Sequence, residues 1–313
     1  MAQRRIGQEG LDFASARDRR SSLDELDRLI NWHPVATALG EIHAAAKGEP
    51  AWPPLALFKA MLIAVWYDLS DVKLAEALDD RASFRRFCGF AAQEPTPERT
   101  AFVRLRRQLV ARGLDQVLFA EVTEQLKAKA VKVKTGTLVD ATVITSASEQ
   151  DQDARWSGHQ RRRAIHGYKA HVGADADTAI VERVSVTPGN AHDGRSGEGA
   201  LPDRPGTVFA DSAYRGQLFA TAVRIRGGVP HVVQTSIWAH QDDRTAVRRL
   251  RDWNNSIHRV RCRIEKIFGT WKRSYGLRRM RWRGLAKAAL QVCLTAMAYN
   301  LTRTATIMRL ASS

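Results

Sequence analysis

Through the first 130 positions, apolar residues recur mostly at three- and four-residue spacing, which predicts a run of short helices. Ser22 followed by Glu25 has the capping-box pattern, and Leu23, Leu26 and Ile30 open a helix behind it. Pro53-Pro54 starts a strongly apolar helix that reaches about Tyr67. Ser70 is the expected N-cap of the next helix, through Leu78, and Ser83 of a short one through Phe87. Thr96 followed by Pro97 reads as an N-cap with proline at the first helical position, leading into ERTAFVRLRRQLVARG. Asp115 is expected to cap a last helix in which Leu118, Val122 and Leu126 repeat. Residues 21–130 are therefore expected to form an all-helical N-terminal domain, with residues 1–20 as a basic flexible arm.

The pattern changes after Lys134. Thr137–Ile144 is strand-like, and a polar stretch from Thr145 to Arg163 predicts a flexible loop. Tyr168–Gly173 and Ile180–Val186 read as two strands around a turn at Asp175–Thr178. Pro188-Gly189-Asn190 interrupts the chain, and a Gly-rich linking segment follows. Val208–Asp211 predicts a short strand, Ala213–Arg226 a helix and His231–Gln234 a fifth strand. A basic helix over Ile257–Arg273 and an apolar one from Leu285 to about Thr304 complete an α/β layer built on a mixed sheet. The expected boundaries are 135–304 for this second domain and 305–313 for a tail.

The basic helix carries two stripes when wound at about 100° per residue. Ile257, Val260, Ile264, Phe268 and Trp271 form an apolar one. His258, Arg261, Glu265 and Lys272 lie along its edge, whereas Arg259, Arg263, Lys266 and Arg273 are expected to face solvent. The same spacing also fits a solvated helix whose glutamate makes i, i+4 pairs.

Composition sharpens this picture in one respect. The chain has 313 residues, 44% of them hydrophobic and 26% charged, as in ordinary globular proteins. Its net charge of +16 is not ordinary, and Arg244–Lys287 holds 15 basic residues against 2 acidic ones. A concentrated positive field implies a polyanionic partner, with nucleic acid first and an anionic membrane second. In the helical region Arg85, Arg86, Arg104, Arg106 and Arg107 are available for a helix-turn-helix type of contact with DNA, or as the basic surface of a plain bundle. Cys88, Cys262 and Cys293 match no metal spacing and suit a reducing compartment. There is no signal-peptide pattern, and Leu55–Tyr67 is too short to span a bilayer, so a cytoplasmic protein is expected. No Walker pattern or GxGxxG is present.

Three acids stand out against this background. Asp140 interrupts an apolar strand, where both propensity and burial disfavour it. Asp211 ends a short apolar strand, where α/β sheets place functional groups. Glu265 comes from the basic helix. If they converge, they repel one another unless a cation intervenes. Hard oxygen donors suit Mg²⁺ or Mn²⁺, and two such ions about 3.5–4 Å apart serve phosphodiester cleavage. The bland alternative is a private salt bridge from each acid to one of the many arginines.

Several motifs together resemble the DDE transposases of bacterial insertion sequences, specifically the insertion sequence 5 family. They are DATVI at Asp140, HGYKAHVGAD at His166–Asp175, VTPGNAHD at Val186–Asp193, ADSAYRG at Ala210–Gly216 and RCRIEKIFGTWKRSYGLRRMRWRG at Arg261–Gly284. The resemblance covers nearly the whole chain. It implies an RNase H-like catalytic core with a triad of Asp140, Asp211 and Glu265 holding two Mg²⁺ or Mn²⁺ ions. It also implies DNA as partner, both transposon ends and target duplex, bound by a homodimer or higher oligomer. The family's Tyr-x2-Arg-x3-Glu-x6-Lys pattern falls on His258, Arg261, Glu265 and Lys272, with His in place of Tyr. Arg261 and Lys272 would bind phosphates, with His258 and with Arg278, Arg279 and Arg281 of the same stretch as further DNA-binding residues.

His166, Lys169, His171, Asn190 and His192 suit a phosphate- or water-positioning role, or plain structural hydrogen bonding. Trp238, Trp253 and Trp282 suit stacking on an unpaired base, or core packing. The activity implied is cleavage of terminal inverted repeats and transfer of the 3′-hydroxyls to target DNA. A non-catalytic DNA-binding derivative and a nuclease that never joins are the alternatives.

Overall fold

The computed structural model describes residues 6–7, 21–40, 42, 50–130, 133–159, 162–235 and 244–312. Most of the expected N-terminal arm, and Trp238, lie outside these residues. The chain divides into two compact units. One takes the residues up to Lys129, Ser274–Gly276 and the residues from Cys293 on; the other takes Ala130–Arg273 and Leu277–Val292.

The first unit is helical, as the spacing of its apolar residues requires. Its elements are α1 (Ser22–Arg28), α2 (Trp32–Leu39), α3 (Pro54–Trp66), α4 (Asp71–Asp80), α5 (Ala82–Cys88), α6 (Arg99–Ala111) and α7 (Leu114–Ala130). Every residue of α3 from Ala56 to Val65 is buried, including Lys59. Its ammonium pairs with Asp27 at 2.6 Å and lies over the face of Trp32, 4.5 Å from its ring centre. The capping box is set one residue earlier than the sequence suggests. Ser21, not Ser22, caps α1, and Asp24 replies to the Ser21 backbone N–H at 2.7 Å. Ser70 caps α4 as expected. Ser83, however, lies inside α5, Asp115 lies in the first turn of α7, and Thr96 donates to Asp79 instead of capping α6.

Three of the five arginines considered for DNA are committed inside this unit. Arg106 makes a two-pronged pair with Asp71 at 2.8 and 3.2 Å, and Arg86 another with Asp24 at 2.9 and 2.8 Å. The buried Arg85 donates to the Ala91 carbonyl at 2.8 Å. Arg104 and Arg107 remain exposed.

The second unit is built on a six-stranded mixed sheet. Its strands are β1 (Gly136–Thr145), β2 (Arg155–His159), β3 (Arg162–Asp175), β4 (Val181–Pro188), β5 (Thr207–Ala210) and β6 (Val229–Val232). The helices are α8 (Asp193–Ser196), α9 (Gln217–Ile225), α10 (Arg244–Arg273) and the start of α11 (Leu285–Ser312). One edge of β3 pairs antiparallel with β1, and the other is shared by β2 and β4. Parallel strands β5 and β6 extend the sheet beyond β1. This arrangement is the RNase H-like core behind an all-helical N-terminal region.

The sheet differs from the sequence reading in two places. The expected loop at 145–163 contains β2, and the expected Gly-rich linker contains α8 followed by a 3-10 turn at Gly197–Ala200. Helix α10 is 30 residues long, and α11 continues to Ser312, eight residues beyond the expected end at Thr304. Among the described residues no helix is long and apolar enough to cross a membrane.

Candidate active site

The parallel pairing of β1 with β5 brings the first two acids together. Thr137 opposes Val208 and Leu138 opposes Phe209. Asp140 and Asp211 are each two residues further on, so the same register sets them side by side. Pairing between these strands stops at Leu138, and β5 ends at Ala210, so both carboxylates lie just beyond the last paired residues. This is the carboxyl end of the parallel-paired stretch, the side on which such sheets place their ligands. Asp140 Oδ1 accepts from the Ala141 N–H at 2.8 Å, and Asp211 Oδ1 caps a 3-10 turn at Ser212–Tyr214 by accepting from Ala213 N–H at 2.9 Å.

Helix α10 packs against β1 and β5 and delivers Arg261 between the two acids. One guanidinium nitrogen, Nη2, lies 2.9 Å from Asp140 Oδ2 and 4.0 Å from Asp211 Oδ2. Burial raises the Asp140 carboxyl to about 6; the Arg261 charge opposes that rise and the Asp211 charge adds to it. The arginine's Nε is buried without a hydrogen-bond partner among the described residues. Its side chain is 12% exposed, Asp140 17% and Asp211 36%, so the pair interacts in a partly dry setting.

Glu265 is exposed on α10, and among the described residues no three His, Cys, Asp or Glu are arranged to hold a metal ion. Asp140 and Asp211 still fit a hard divalent cation. They are adjacent oxygen donors whose mutual repulsion already draws in a positive group.

The two stripes of α10 are only partly as read. Ile257, Ile264 and Trp271 are buried, joined by Ile267, while Val260 and Phe268 are half-buried. His258 is exposed and Lys272 half-buried. Arg263, expected to face solvent, is half-buried and donates to the Ala176 carbonyl at 2.6 Å. After α10 the chain runs beside the end of β1: Thr145 N–H donates to Arg278 O at 3.2 Å, and Met280 N–H to Thr145 O at 2.7 Å. Arg279 is anchored there on the carbonyls of Ser146 and Ala147, at 3.1 and 2.8 Å. Arg278 donates to the Lys272 carbonyl at 3.1 Å, and Arg281 is half-buried. These contacts to neutral carbonyls fix the guanidinium groups without cancelling their charge.

Beyond the two acids lies a cluster that the sequence reading left unassigned in part. Lys169 Nζ is 2.8 Å from Asp193 Oδ1 and donates to Ala191 O at 2.8 Å. His171 is fully buried, with Nε2 3.0 Å from Thr187 Oγ1; burial lowers it to about 4. His192 serves the fold, its Nδ1 accepting from Gly194 N–H at the start of α8. Asn190 is exposed, and His166 lies against the exposed Trp156. Trp253 packs on His231 and donates to Val232 O at 3.1 Å, and Trp282 is half-buried. Asp193, paired with Lys169, and Tyr214, which feels the charges of Asp140, Asp193 and Asp211, also belong to this neighbourhood. Both lie in the quoted motifs VTPGNAHD and ADSAYRG, and nothing in spacing alone sets them apart from their neighbours.

Comparison with protein families returns two matches. Residues 132–301 match the family described as "Transposase DDE domain", and residues 11–108 the family described as "Transposase domain (DUF772)".

Proposed function

Because this chain belongs to the DDE transposase family, whose domain spans more than half of it, we propose that it binds the terminal inverted repeats of an insertion sequence, cleaves DNA at their ends and transfers the resulting 3′-hydroxyls into target DNA. The carrying observation is the side-by-side placement of Asp140, midway along β1, and Asp211, just after β5, with a cation from α10 between them. DNA is the partner that the family implies, and DDE transposase domains work with divalent metal ions. Here Asp140 and Asp211 would hold Mg²⁺ or Mn²⁺, two ions in all, with Glu265 completing the donor set. When bound, such ions assist the attacking oxygen and offset charge on the leaving one.

The chain's own residues then divide the work. Asp140 and Asp211, set in register by the sheet, define where the scissile phosphate must lie. Arg261 is the cation nearest to that point and offers two-pronged donation to a phosphate. Lys272, Arg278, Arg279 and Arg281 extend a positive track on which DNA phosphates are held, with His258 as a further hydrogen-bonding group. The protein acts on DNA in the cytoplasm as a homodimer or higher oligomer.

The test compares Asp140→Asn, Asp211→Asn and Glu265→Gln with the wild type on a duplex carrying one element end. Each variant should lose strand cleavage while end binding stays within a few-fold. A variant that still cleaves removes that residue from the site. Cleavage with no joined product from the wild type would favour a nuclease that never transfers strands.

A further inference from the structure

Tyr214 is the last residue of the 3-10 turn that Asp211 caps, and it is 1% exposed. The ring is held on two sides. Phe219 lies 5.0 Å away between ring centres, and Gly197 sits so close that a methyl group there would come 2.5 Å from Cε1. Val139, Ala200, Leu201 and Val223 belong to the same core cluster. A phenylalanine would fill that space equally well, yet the chain buries a hydroxyl there that has no hydrogen-bond partner among the described residues. A buried polar atom without a partner destabilises the fold, so the hydroxyl calls for another explanation.

Its surroundings supply one. Asp211 is three residues upstream, and Asp193 comes from α8, which packs against the same 3-10 turn; a methyl group on Gly194 would meet the Ala213 carbonyl at 3.0 Å. Burial first, and then the charges of Asp140, Asp193 and Asp211, push the phenol well above its ordinary range, with Arg261 opposing. The hydroxyl therefore keeps its proton and stays a donor throughout the physiological range. Asp193 is pinned by Lys169 at 2.8 Å, and Asp140 by Arg261 at 2.9 Å. A carboxylate that turns one oxygen to a metal ion leaves its other oxygen in need of a donor. Tyr214 offers one that is buried, rigid and uncommitted.

We propose that Tyr214 is a positioning residue of the carboxylate site, its O–H held in reserve to orient the aspartates when they take up a divalent cation. This rests on the reading of Asp140 and Asp211 as the metal-holding pair.

Calorimetric titration of the full-length protein with Mn²⁺ alone tests it, alongside thermal unfolding of the metal-free protein. Tyr214→Phe should weaken Mn²⁺ binding by roughly tenfold, as loss of a partner behind a metal ligand commonly does. Its metal-free unfolding temperature should be unchanged or raised, since the hydroxyl has no partner to lose. Phe219→Leu loosens the ring without touching the hydroxyl and serves as control. Mn²⁺ affinity within twofold of wild type in Tyr214→Phe overturns the proposal, and so does an equal loss of affinity in Phe219→Leu. If Asp140→Asn and Asp211→Asn both keep wild-type Mn²⁺ binding, the reading of the carboxylate pair fails and takes Tyr214 with it. If they abolish binding while Tyr214→Phe does not, Tyr214 alone is wrongly assigned.

Discussion

Arg261 reaches across from α10 to Asp140, Nη2 to Oδ2 at 2.9 Å, and sets a positive charge between the two aspartates. From the helix face alone, this arginine would be purely a phosphate ligand, indifferent to metal. The pair makes it a competitor for the same carboxylate. A divalent ion entering between Asp140 and Asp211 must displace a guanidinium, and a DNA phosphate is the natural alternative partner for that guanidinium.

Metal titrations should therefore respond to Arg261. In the absence of DNA, Arg261→Ala should bind Mn²⁺ at pH 7.5 several-fold more tightly than wild type, because no internal cation has to leave. Arg261→Lys should fall between them. Unchanged or weaker Mn²⁺ binding in the alanine variant would remove the competition from the account.

The two aspartates of the candidate site are legible in the sequence. Asp140 shows itself as a carboxylate inside the apolar run Thr137–Ile144, and Asp211 as one at the end of Val208–Ala210, because burial makes both costly. Their juxtaposition follows from parallel register, which sequence periodicity does not carry. The partner of Arg261 was unreadable for the same reason: helix spacing gives a face, not what faces it. Caps were blurred where two candidates adjoin, as with Ser21/Asp24 and Ser22/Glu25. Helix α2 carries Pro34 in its first turn, where proline is tolerated although it breaks a helix elsewhere. Strand β2 has mostly polar residues and lies at a sheet edge, so no apolar alternation marks it. The arginine pairs of the helical unit join residues 35 and 62 apart, beyond any local pattern.

DNA affinity should fall steeply with salt. Arg244–Lys287 carries 15 basic residues against 2 acidic ones, and Arg263, Arg278 and Arg279 are held on carbonyls that leave their charge intact. A plot of log affinity against log salt for a short duplex should have a slope of roughly −4 or steeper, as for release of ions from several phosphates. A flat plot contradicts this surface.

Gly173 tests how the segment carrying Asp193 is held to the sheet. A methyl group at this position of β3 would collide with the Ala200 carbonyl of the 3-10 turn that follows α8. Backbone cannot yield as a side chain does, so Gly173→Ala should lose roughly 1–3 kcal/mol or more in urea unfolding. Gly158→Ala, with nothing within 4 Å, should be near neutral. Equal stability in the two variants would mean that the turn is free to shift.

His171 should set the acid limit of the fold. It is fully buried on β3, with Nε2 on Thr187 and Nδ1 without a partner among the described residues. Burial lowers its ionisation from 6.5 to about 4; Asp193 opposes that shift and Lys169 adds to it. The folded state thus prefers the neutral ring. The resulting stability is fully present above pH 6.5 and is lost as pH falls towards 4, at most roughly 3 kcal/mol. Asp140 runs the other way. Its carboxyl is raised from 3.8 to about 6, so its contribution is present below 3.8 and lost as pH rises through 6. The two oppose each other between pH 4 and 6. Removing one should expose the other. His171→Gln should stop losing stability on acidification from pH 6.5 to 4.5, whereas Asp140→Asn should lose it more steeply than wild type. Urea midpoints at pH 4.5, 5.5, 6.5 and 7.5 measure both slopes. If His171→Gln declines with acid as steeply as wild type, the buried imidazole is not the group that limits the fold.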